Sequence, residues 1–511
     1  MFRDEARGIA KNSAVLLFQQ VLTAGSSALI MLFLPRYLGP IRYGYIFLGT
    51  SISQIFWIVT SYGGNYIVTK KVARAPEETA RIVMDASLLR LVFAVVSIGA
   101  TLVIAYYAHY AYEELVVIML LSVSLIWAGG STALRAGYQG HELMQYTSAA
   151  VVTERLFQVV TILPAIWLKA DVITIASLIL VGSLSNFLVL VFFSRRIMRG
   201  LPPINWKSWA AEIKEGLPYF LFTVFGVIYY RINSLMLSKM SPESVVGWYG
   251  GAFRLFEMLN FPSVLTIAIY PVLSRLWKDQ ERTHQRTMAK SLELVTIGGV
   301  YVSVATIAFA DKIVGLFYGL EQYGPSVLPF QILCAGLVFL YVDMILGTTL
   351  LSSDKQKHLM LISLGAIPLS VLLNVILIPY FEARYQNGAI GASAATGITE
   401  VCIMVACFGQ LPKESLRGIR RSVYIKSALA GVVMTLVIYL SALVNLHWIL
   451  KAFLSSAAFF ASLWVLRILE PAEQELMKQF FTVDGFRRLL QQMGLPISGI
   501  TEESSRGSLH E

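Results

Sequence analysis

Charge is scarce in this 511-residue chain: 14% of its residues are Asp, Glu, Lys or Arg, against roughly 25% in soluble globular proteins. Cysteine is scarcer still, at three, with only six histidines. So few cysteines exclude a disulfide scaffold. The histidines all fall outside or at the ends of apolar runs, which leaves a zinc centre no cluster to use. Catalytic signatures are missing as well. There is no GxxxxGK run followed by Ser or Thr, and no GxSxG elbow. His141-Glu142 lacks the second histidine of a zinc-protease motif, and Gly388-Ala389-Ile390-Gly391 is half a dinucleotide fingerprint opening an apolar run. No enzyme signature survives, and no cofactor is called for.

What is present is hydrophobicity. AVILMFWYC residues make up 56% of the chain, mean hydropathy is +0.66, and such a composition excludes a disordered chain. A membrane-crossing helix needs about 20 predominantly apolar residues, because ~30 Å of hydrocarbon is covered at 1.5 Å per residue. Such runs are Asn12–Leu34, Gly44–Val68, Ile82–Ala108, Glu114–Ala136, Tyr146–Leu168 and Val172–Phe193. After a polar interruption come Leu217–Met240, Gly247–Ser274, Ser291–Ala310, Leu328–Leu351, Leu359–Phe381 and Ala389–Leu411, then Ser422–Val444 and Leu446–Ile468. The expectation is an all-α integral membrane protein of about 14 transmembrane helices. The first run is too long for a cleavable signal, and no small-x-small site follows it.

The net charge of +10 then reads as topology. Basic residues gather in the even-numbered connections, as in Arg195, Arg196, Arg199, Lys207 and Lys214, or Arg275, Lys278, Arg282, Arg286 and Lys290. The odd-numbered connections offer only Arg36, Arg42, Lys169, Lys239, Lys312 and Arg384. By the positive-inside rule the first set is cytoplasmic, and with it both termini. Charge dispersed along inner loops is not a nucleic-acid footprint.

The longest internal polar stretch, Ser194–Gly216, divides the first twelve runs into six and six. Both halves show a cation, a proline and then Gly-aromatic between their first two runs: Arg36, Pro40 and Gly44-Tyr45 in one, Lys239, Pro242 and Gly247-Trp248 in the other. A paired six-plus-six arrangement is what transporters with internal repeats show. The expected organisation is a lobe at 1–193, a cytoplasmic linker at 194–216, a second lobe at 217–411, two extra helices at 412–468 and a cytoplasmic tail at 469–511. Leu476, Phe480, Val483 and Phe486 in the tail suit a helix lying on the membrane or docked on inner loops. Asp311–Val327 is the largest outer loop expected. Cys334, Cys402 and Cys407 read as small buried residues inside spans.

A charge in mid-membrane costs roughly 2.5–3.5 kcal/mol on insertion scales, so each one retained is a functional candidate. Asp85 and Lys426 lie near span ends and are expected to snorkel. Arg254 and Glu257, three apart, share a helix face and can pair, whereas the adjacent Glu154 and Arg155 point about 100° apart. Arg231 stands beside Tyr229 and Tyr230 in mid-run. Guanidinium groups among aromatic faces suit a sugar–pyrophosphate ligand, by bidentate phosphate contact and ring stacking. Arg231, Arg254, Arg90 and Tyr230 are therefore the candidate substrate-binding residues. Glu154, Asp343 and Glu400 are the candidates for proton or sodium coupling. For every one of them packing or a structural ion pair is the competing reading.

Several short motifs, in order, resemble one family. They are Arg36-Tyr37-Leu38-Gly39-Pro40 with Tyr43-Gly44-Tyr45, Gly216-Leu217-Pro218, Gly247-Trp248-Tyr249 with Ala252-Phe253-Arg254-Leu255, and Tyr270-Pro271-Val272-Leu273-Ser274-Arg275. Asn374 to Pro379, then Gly388 to Ala392 and Glu400, complete the set. The chain resembles polysaccharide-biosynthesis flippases of the O-antigen-unit translocase type, in the superfamily that also holds multidrug extruders and lipid II flippases. The resemblance implies two six-helix lobes around a central cleft, rocking between inward- and outward-facing states. It implies a polyprenyl-linked oligosaccharide as cargo, membrane lipids as surroundings and glycan polymerase or glycosyltransferases as partners, in a prokaryotic plasma membrane. Relatives often carry Asp after the Arg-Ile pair where this chain has Asn233, a departure that argues against cation coupling there. The alternatives are a cation-coupled exporter of the same fold, a lipid II flippase, which the first run with Gln19 and Gln20 but no arginine favours less, a membrane glycosyltransferase or polymerase, and a non-transporting scaffold.

Overall fold

The computed structural model describes residues 2–198, 200, 206–260, 262–279, 281–411 and 419–468, and among these every regular element is helical. The first two apolar runs form one element, α1 (Phe2–Ser61), bent at Gly39, where φ is 69° between Pro35 and Pro40. Proline breaks the hydrogen-bond ladder and clashes with the turn before it, and glycine takes a positive φ without strain. The apolar part of α1, Phe18–Ser61, has 44 residues. Straight, it would run about 66 Å, roughly twice the hydrocarbon thickness, so the bend is what lets so long a segment turn back. The helix stops at Ser61, short of the expected Val68. Tyr62 and Gly63 have φ of 41° and 74°, and α2 (Asn65–Arg74) starts anew.

The rest of the N-terminal half is α3 (Thr79–Ala108), α4 (Tyr112–Val123), α5 (Leu125–Gly140), α6 (Met144–Trp167) and α7 (Val172–Ser194). Asp171 caps α7, accepting from the Thr174 N–H at 3.1 Å and from its hydroxyl. Those bonds to the ionised form hold its carboxyl below the usual range.

The polar stretch expected as a linker is already helical from Trp206. Glu212, Lys214 and Gly216 belong to α8 (Trp206–Met240). The run Gly247–Ser274 is broken at Leu259–Asn260 between α9 (Glu243–Met258) and α10 (Pro262–Asp279). After α11 (Glu281–Ala308) the expected outer loop is not a loop. It folds as α12 (Ala310–Tyr318), α13 (Leu320–Tyr323) and a 3-10 turn leading into α14 (Val327–Ala335). Four to nine residues are too few to show a clear apolar period. Then come α15 (Leu337–Ser352), α16 (Gln356–Tyr385), α17 (Gly388–Gln410), α18 (Arg421–Leu443) and α19 (Trp448–Val465). The expected tail, 469–511, and residues 412–418 lie outside the described residues.

Among the described residues, ten helices are long and apolar enough to cross a membrane, eleven if α13–α15, bent by 41°, is one span. α8, α9 and α10 are not in that set. α9, at 16 residues, is shorter than a span needs, and α8 and α9 carry Arg231, Arg254 and Glu257.

The two halves meet at both ends of the second arm of α1, the part that follows the bend. At the bend, a Cβ on Gly247 of α9 would lie 1.8 Å from the Pro40 carbonyl oxygen, so this seam closes only around a glycine. Arg36 donates to the carbonyls of Gly315 at 2.9 Å and Leu316 at 2.5 Å, and the Tyr45 hydroxyl donates to Glu243 at 2.5 Å. At the far end Tyr62 donates to Glu212 at 3.1 Å. Lys71 there pairs with Glu212 and Glu215 at 3.6 and 3.4 Å. α18 and α19 pack on α11 through Met434, Phe459, Val300 and Val304.

Lys426, near the start of α18, reaches the Leu466 carbonyl at the end of α19 at 2.7 Å. Two expectations about span residues change. Asp85 is 3% exposed rather than snorkelling. Of the cysteines, Cys334 and Cys407 are buried but Cys402 is exposed, and all three are free.

Candidate functional site

Beneath the bend in α1 lies a cavity of about 300 Å³. Both halves wall it. α1 supplies Ser27, Met31, Tyr43, Thr50 and Gln54, α6 supplies Glu154, Arg155 and Gln158, and α8 and α9 supply Arg231, Arg254 and Glu257. Three guanidinium groups therefore face two carboxylates in a lining that mixes apolar side chains with hydroxyls and amides. Fixed charges partly shielded from solvent act more strongly than in bulk water, and the surplus cation favours an anionic guest.

Each charge is held in place. Arg231 donates to Glu257 Oε1 at 2.8 Å and Arg254 to Glu257 Oε2 at 3.1 Å, so one carboxylate orients both arginines. Side-chain exposure is 8% for Arg231 and 45% for Arg254: the first is embedded and the second presents its guanidinium. Arg231 also sits 5.5 Å from the Tyr230 ring centroid and 5.4 Å from that of Phe253, a cation–π seat that fixes its plane. On the other wall Asn186 donates to Glu154 at 3.0 Å, and Arg135 donates to Asn186 at 2.8 Å. Arg155 donates to Gln158 at 3.0 Å, whose amide reaches Glu154 at 3.5 Å. The neighbours that point apart along α6 are thus joined through the residue one turn on.

Arg231, Arg254 and Glu154 come together in this cavity. Tyr230 stands behind Arg231, its ring 5.0 Å from Phe253. Arg90 does not line the cavity. It is fully buried on α3, 5.5 Å from the Tyr62 ring and donating to Thr132 at 2.9 Å, with Gly129 packed on its Cβ. We expect Arg90→Ala to lower the melting midpoint of the purified protein without weakening ligand binding by the folded fraction. A binding defect at unchanged stability would contradict this packing role.

Glu400 is buried and Asp343 half-buried inside the C-terminal half, and neither lines the cavity. Glu400 accepts from the Tyr229 hydroxyl at 2.8 Å. Asn233 donates to Thr396 at 2.7 Å and accepts from Ser370 at 3.1 Å and Asn374 at 2.5 Å. An amide at Asn233 donates and accepts at once, which a carboxylate could not do here. No cluster of three or more His, Cys, Asp or Glu with metal-binding geometry occurs among the described residues. The sequence reading missed Gln54 and Gln158, because neutral side chains carry little insertion cost. It also missed the tie from Glu257 to Arg231, which spans 26 positions and needs the tertiary fold.

Two helical halves closing on a charged cavity are the arrangement that membrane transporters with paired repeats show. Residues 9–277 match the family described as polysaccharide biosynthesis protein, and residues 146–459 match the family described as lipid II flippase MurJ. The chain belongs to the polysaccharide biosynthesis protein family, within the superfamily of multidrug, oligosaccharidyl-lipid and polysaccharide flippases. Among solved structures it is similar to the lipid II flippase MurJ in an inward closed conformation, with TM-score 0.69 at 13% identity over 89% of this chain and 97% of that one. It is also similar to an inward-facing multidrug resistance MATE family transporter, with TM-score 0.61 at 13% identity over 76% and 93%. Curated relatives include the capsular polysaccharide biosynthesis protein CapF of Staphylococcus aureus, 19% identical over 40% of this chain and 52% of that protein. Another is the probable multidrug resistance protein NorM of Bacillus subtilis (strain 168), 23% identical over 36% and 41%. The chain thus spans about half or less of the length of these two relatives.

Proposed function

We propose that this protein turns a polyprenyl-diphosphate-linked oligosaccharide from the inner to the outer leaflet by alternating access. In this reading fourteen spans place both termini in the cytoplasm, lobes at 1–193 and 217–411 rock about the cavity, and no covalent step is catalysed. The observation that carries it is the trio Arg155, Arg231 and Arg254 facing Glu154 and Glu257 across the two halves. A flippase must shelter a hydrated anionic headgroup from hydrocarbon while the lipid tail stays outside, and a mildly cationic pocket in an apolar shell does that. The bend end of α1 then faces outward, and the Tyr62–Glu212–Lys71 contacts face inward. The two halves are joined at the first by the Gly247 seam and at the second by those contacts. The match to a polysaccharide biosynthesis family supports the cargo class.

The test is binding by the purified protein. A polyprenyl diphosphate should bind at least about tenfold more tightly than the corresponding polyprenyl alcohol, from charge-assisted hydrogen bonds worth roughly 1.5–3 kcal/mol. Equal binding of the two would overturn this reading.

A second reading, a cation-coupled exporter, draws support from the buried Glu400 and the half-buried Asp343 and from the multidrug relatives. Under the flippase reading Glu400→Gln leaves diphosphate binding unchanged. Expulsion of a cationic dye under a proton gradient, abolished by Glu400→Gln, would favour the exporter.

A further inference from the structure

The charged cavity does not end at α6. Gln54, Gln158, Thr50 and Glu154 also wall a second chamber of about 220 Å³ that lies wholly within the N-terminal half. Its character is different. Beyond the shared Glu154 at its edge it holds no charge; Trp57, Ser53, Ser124 and Ser183 line it against apolar residues of α4, α5 and α7. Trp57 is 37% exposed, so part of its indole is uncovered by protein.

The hydrogen-bond accounting favours a hydroxylated guest. Ser124 donates to the Leu121 carbonyl at 2.6 Å and Ser183 to Leu180 at 2.7 Å. Thr50 likewise donates to Phe47 at 2.8 Å. With their protons committed to the backbone, the Ser124 and Thr50 oxygens offer lone pairs to a guest's hydroxyl groups, while Ser183 already accepts from the Trp127 indole at 2.9 Å and keeps one lone pair. The Ser53 hydroxyl has no partner in the protein, and Ser53 belongs to the chamber's lining. The opposite wall of the charged cavity gives no such room. There Phe47, Tyr230, Tyr249 and Phe253 pack with ring centroids 5.0–6.2 Å apart.

We infer that the second chamber is a saccharide subsite, taking an uncharged sugar ring of the headgroup against Trp57 while the arginines of the adjoining cavity hold the diphosphate. This rests on the flippase reading and adds to it a direction: the glycan extends into the N-terminal half and not the C-terminal one. A pyranose has an apolar C–H face for the indole and equatorial hydroxyls for the surrounding oxygens. The chamber offers both. Trp57 is absent from the lining of the charged cavity, so the two contributions can be separated by mutation.

The test uses the full-length purified protein and two probes, polyprenyl diphosphate and the same lipid bearing one neutral N-acetylhexosamine. The unmodified protein should bind the glycosylated lipid about tenfold more tightly, the sum of one stacking contact and one or two hydrogen bonds. Trp57→Ala should erase that difference while the sugar-free affinity stays the same, and Trp57→Phe should restore part of it. Ala128→Leu, which fills the chamber and removes no polar group, should erase it as well. A full tenfold preference retained in both Trp57→Ala and Ala128→Leu would overturn the subsite and leave the flippase reading standing. Failure of the unmodified protein to bind either lipid would overturn both.

Discussion

Replacing Arg231 with alanine should lower translocation of a lipid-linked oligosaccharide in proteoliposomes by roughly ten- to a hundredfold, the equivalent of the ~1.5–3 kcal/mol in a hydrogen bond to a charged group. Removing one member of a buried ion pair often destabilises the fold by about 3–5 kcal/mol, because the survivor is left buried and unpaired. Here Glu257 is not orphaned, since Arg254 still donates to it at 3.1 Å. Membrane insertion and thermal stability should therefore change little while transport falls. Arg231→Lys keeps the charge but loses the planar fork and the seat between Tyr230 and Phe253. It should recover only part of the activity. Normal translocation by Arg231→Ala with Arg254→Ala in the same chain would remove the arginines from the mechanism.

Gly247→Val should be the most damaging substitution that touches no charge. A Cβ at this position would sit 1.8 Å from the Pro40 carbonyl oxygen and 2.5 Å from its carbon. Backbone cannot rotate away as a flexible side chain can, so α1 and α9 cannot close at the bend. Overpacking in a core commonly costs about 1–3 kcal/mol, and a contact with backbone at this distance lies beyond that range. The expected result is a protein that inserts but rests open at the bend end, with transport lost. Met31, which lines the cavity and is 6% exposed, reports on this. A cysteine at Met31, in a Cys402→Ser background, should react slowly with an impermeant thiol reagent and at least about tenfold faster once Gly247→Val is added. Unchanged reactivity would mean that the Gly247 seam does not gate the cavity.

Much of this architecture was legible in the sequence because it follows from hydrophobic length and from backbone chemistry. The long apolar runs fall on helices, and the Pro35–Gly39–Pro40 break falls where α1 bends. The short helices α12 and α13 were not legible, since segments of nine and four residues carry no decisive period. Nor was the start of α8 at Trp206, where charged residues look like a linker and are in fact helical.

The site was legible to the extent that it is charged. Arg231, Arg254 and Glu154 stood out because a charge in an apolar run is costly. The same rule raised Arg90, which the fold uses to pack α3 against α5 and the end of α1. Insertion cost flags a buried charge without saying which way it faces. Neutral residues such as Gln54, Trp57 and Ser183 raise no flag, yet they wall the chambers. Glu257 was visible as a partner for Arg254, three residues away, but its tie to Arg231 depends on how α8 and α9 cross.

The most direct measurement is the appearance of a fluorescent polyprenyl-diphosphate oligosaccharide in the opposite leaflet of proteoliposomes, read by a membrane-impermeant quencher. The purified protein should raise the rate well above that of empty liposomes, and Arg231→Ala should return it to near the background. Equal rates with and without the unmodified protein, alongside gradient-driven expulsion of a cationic dye from the same vesicles, would contradict the flippase reading.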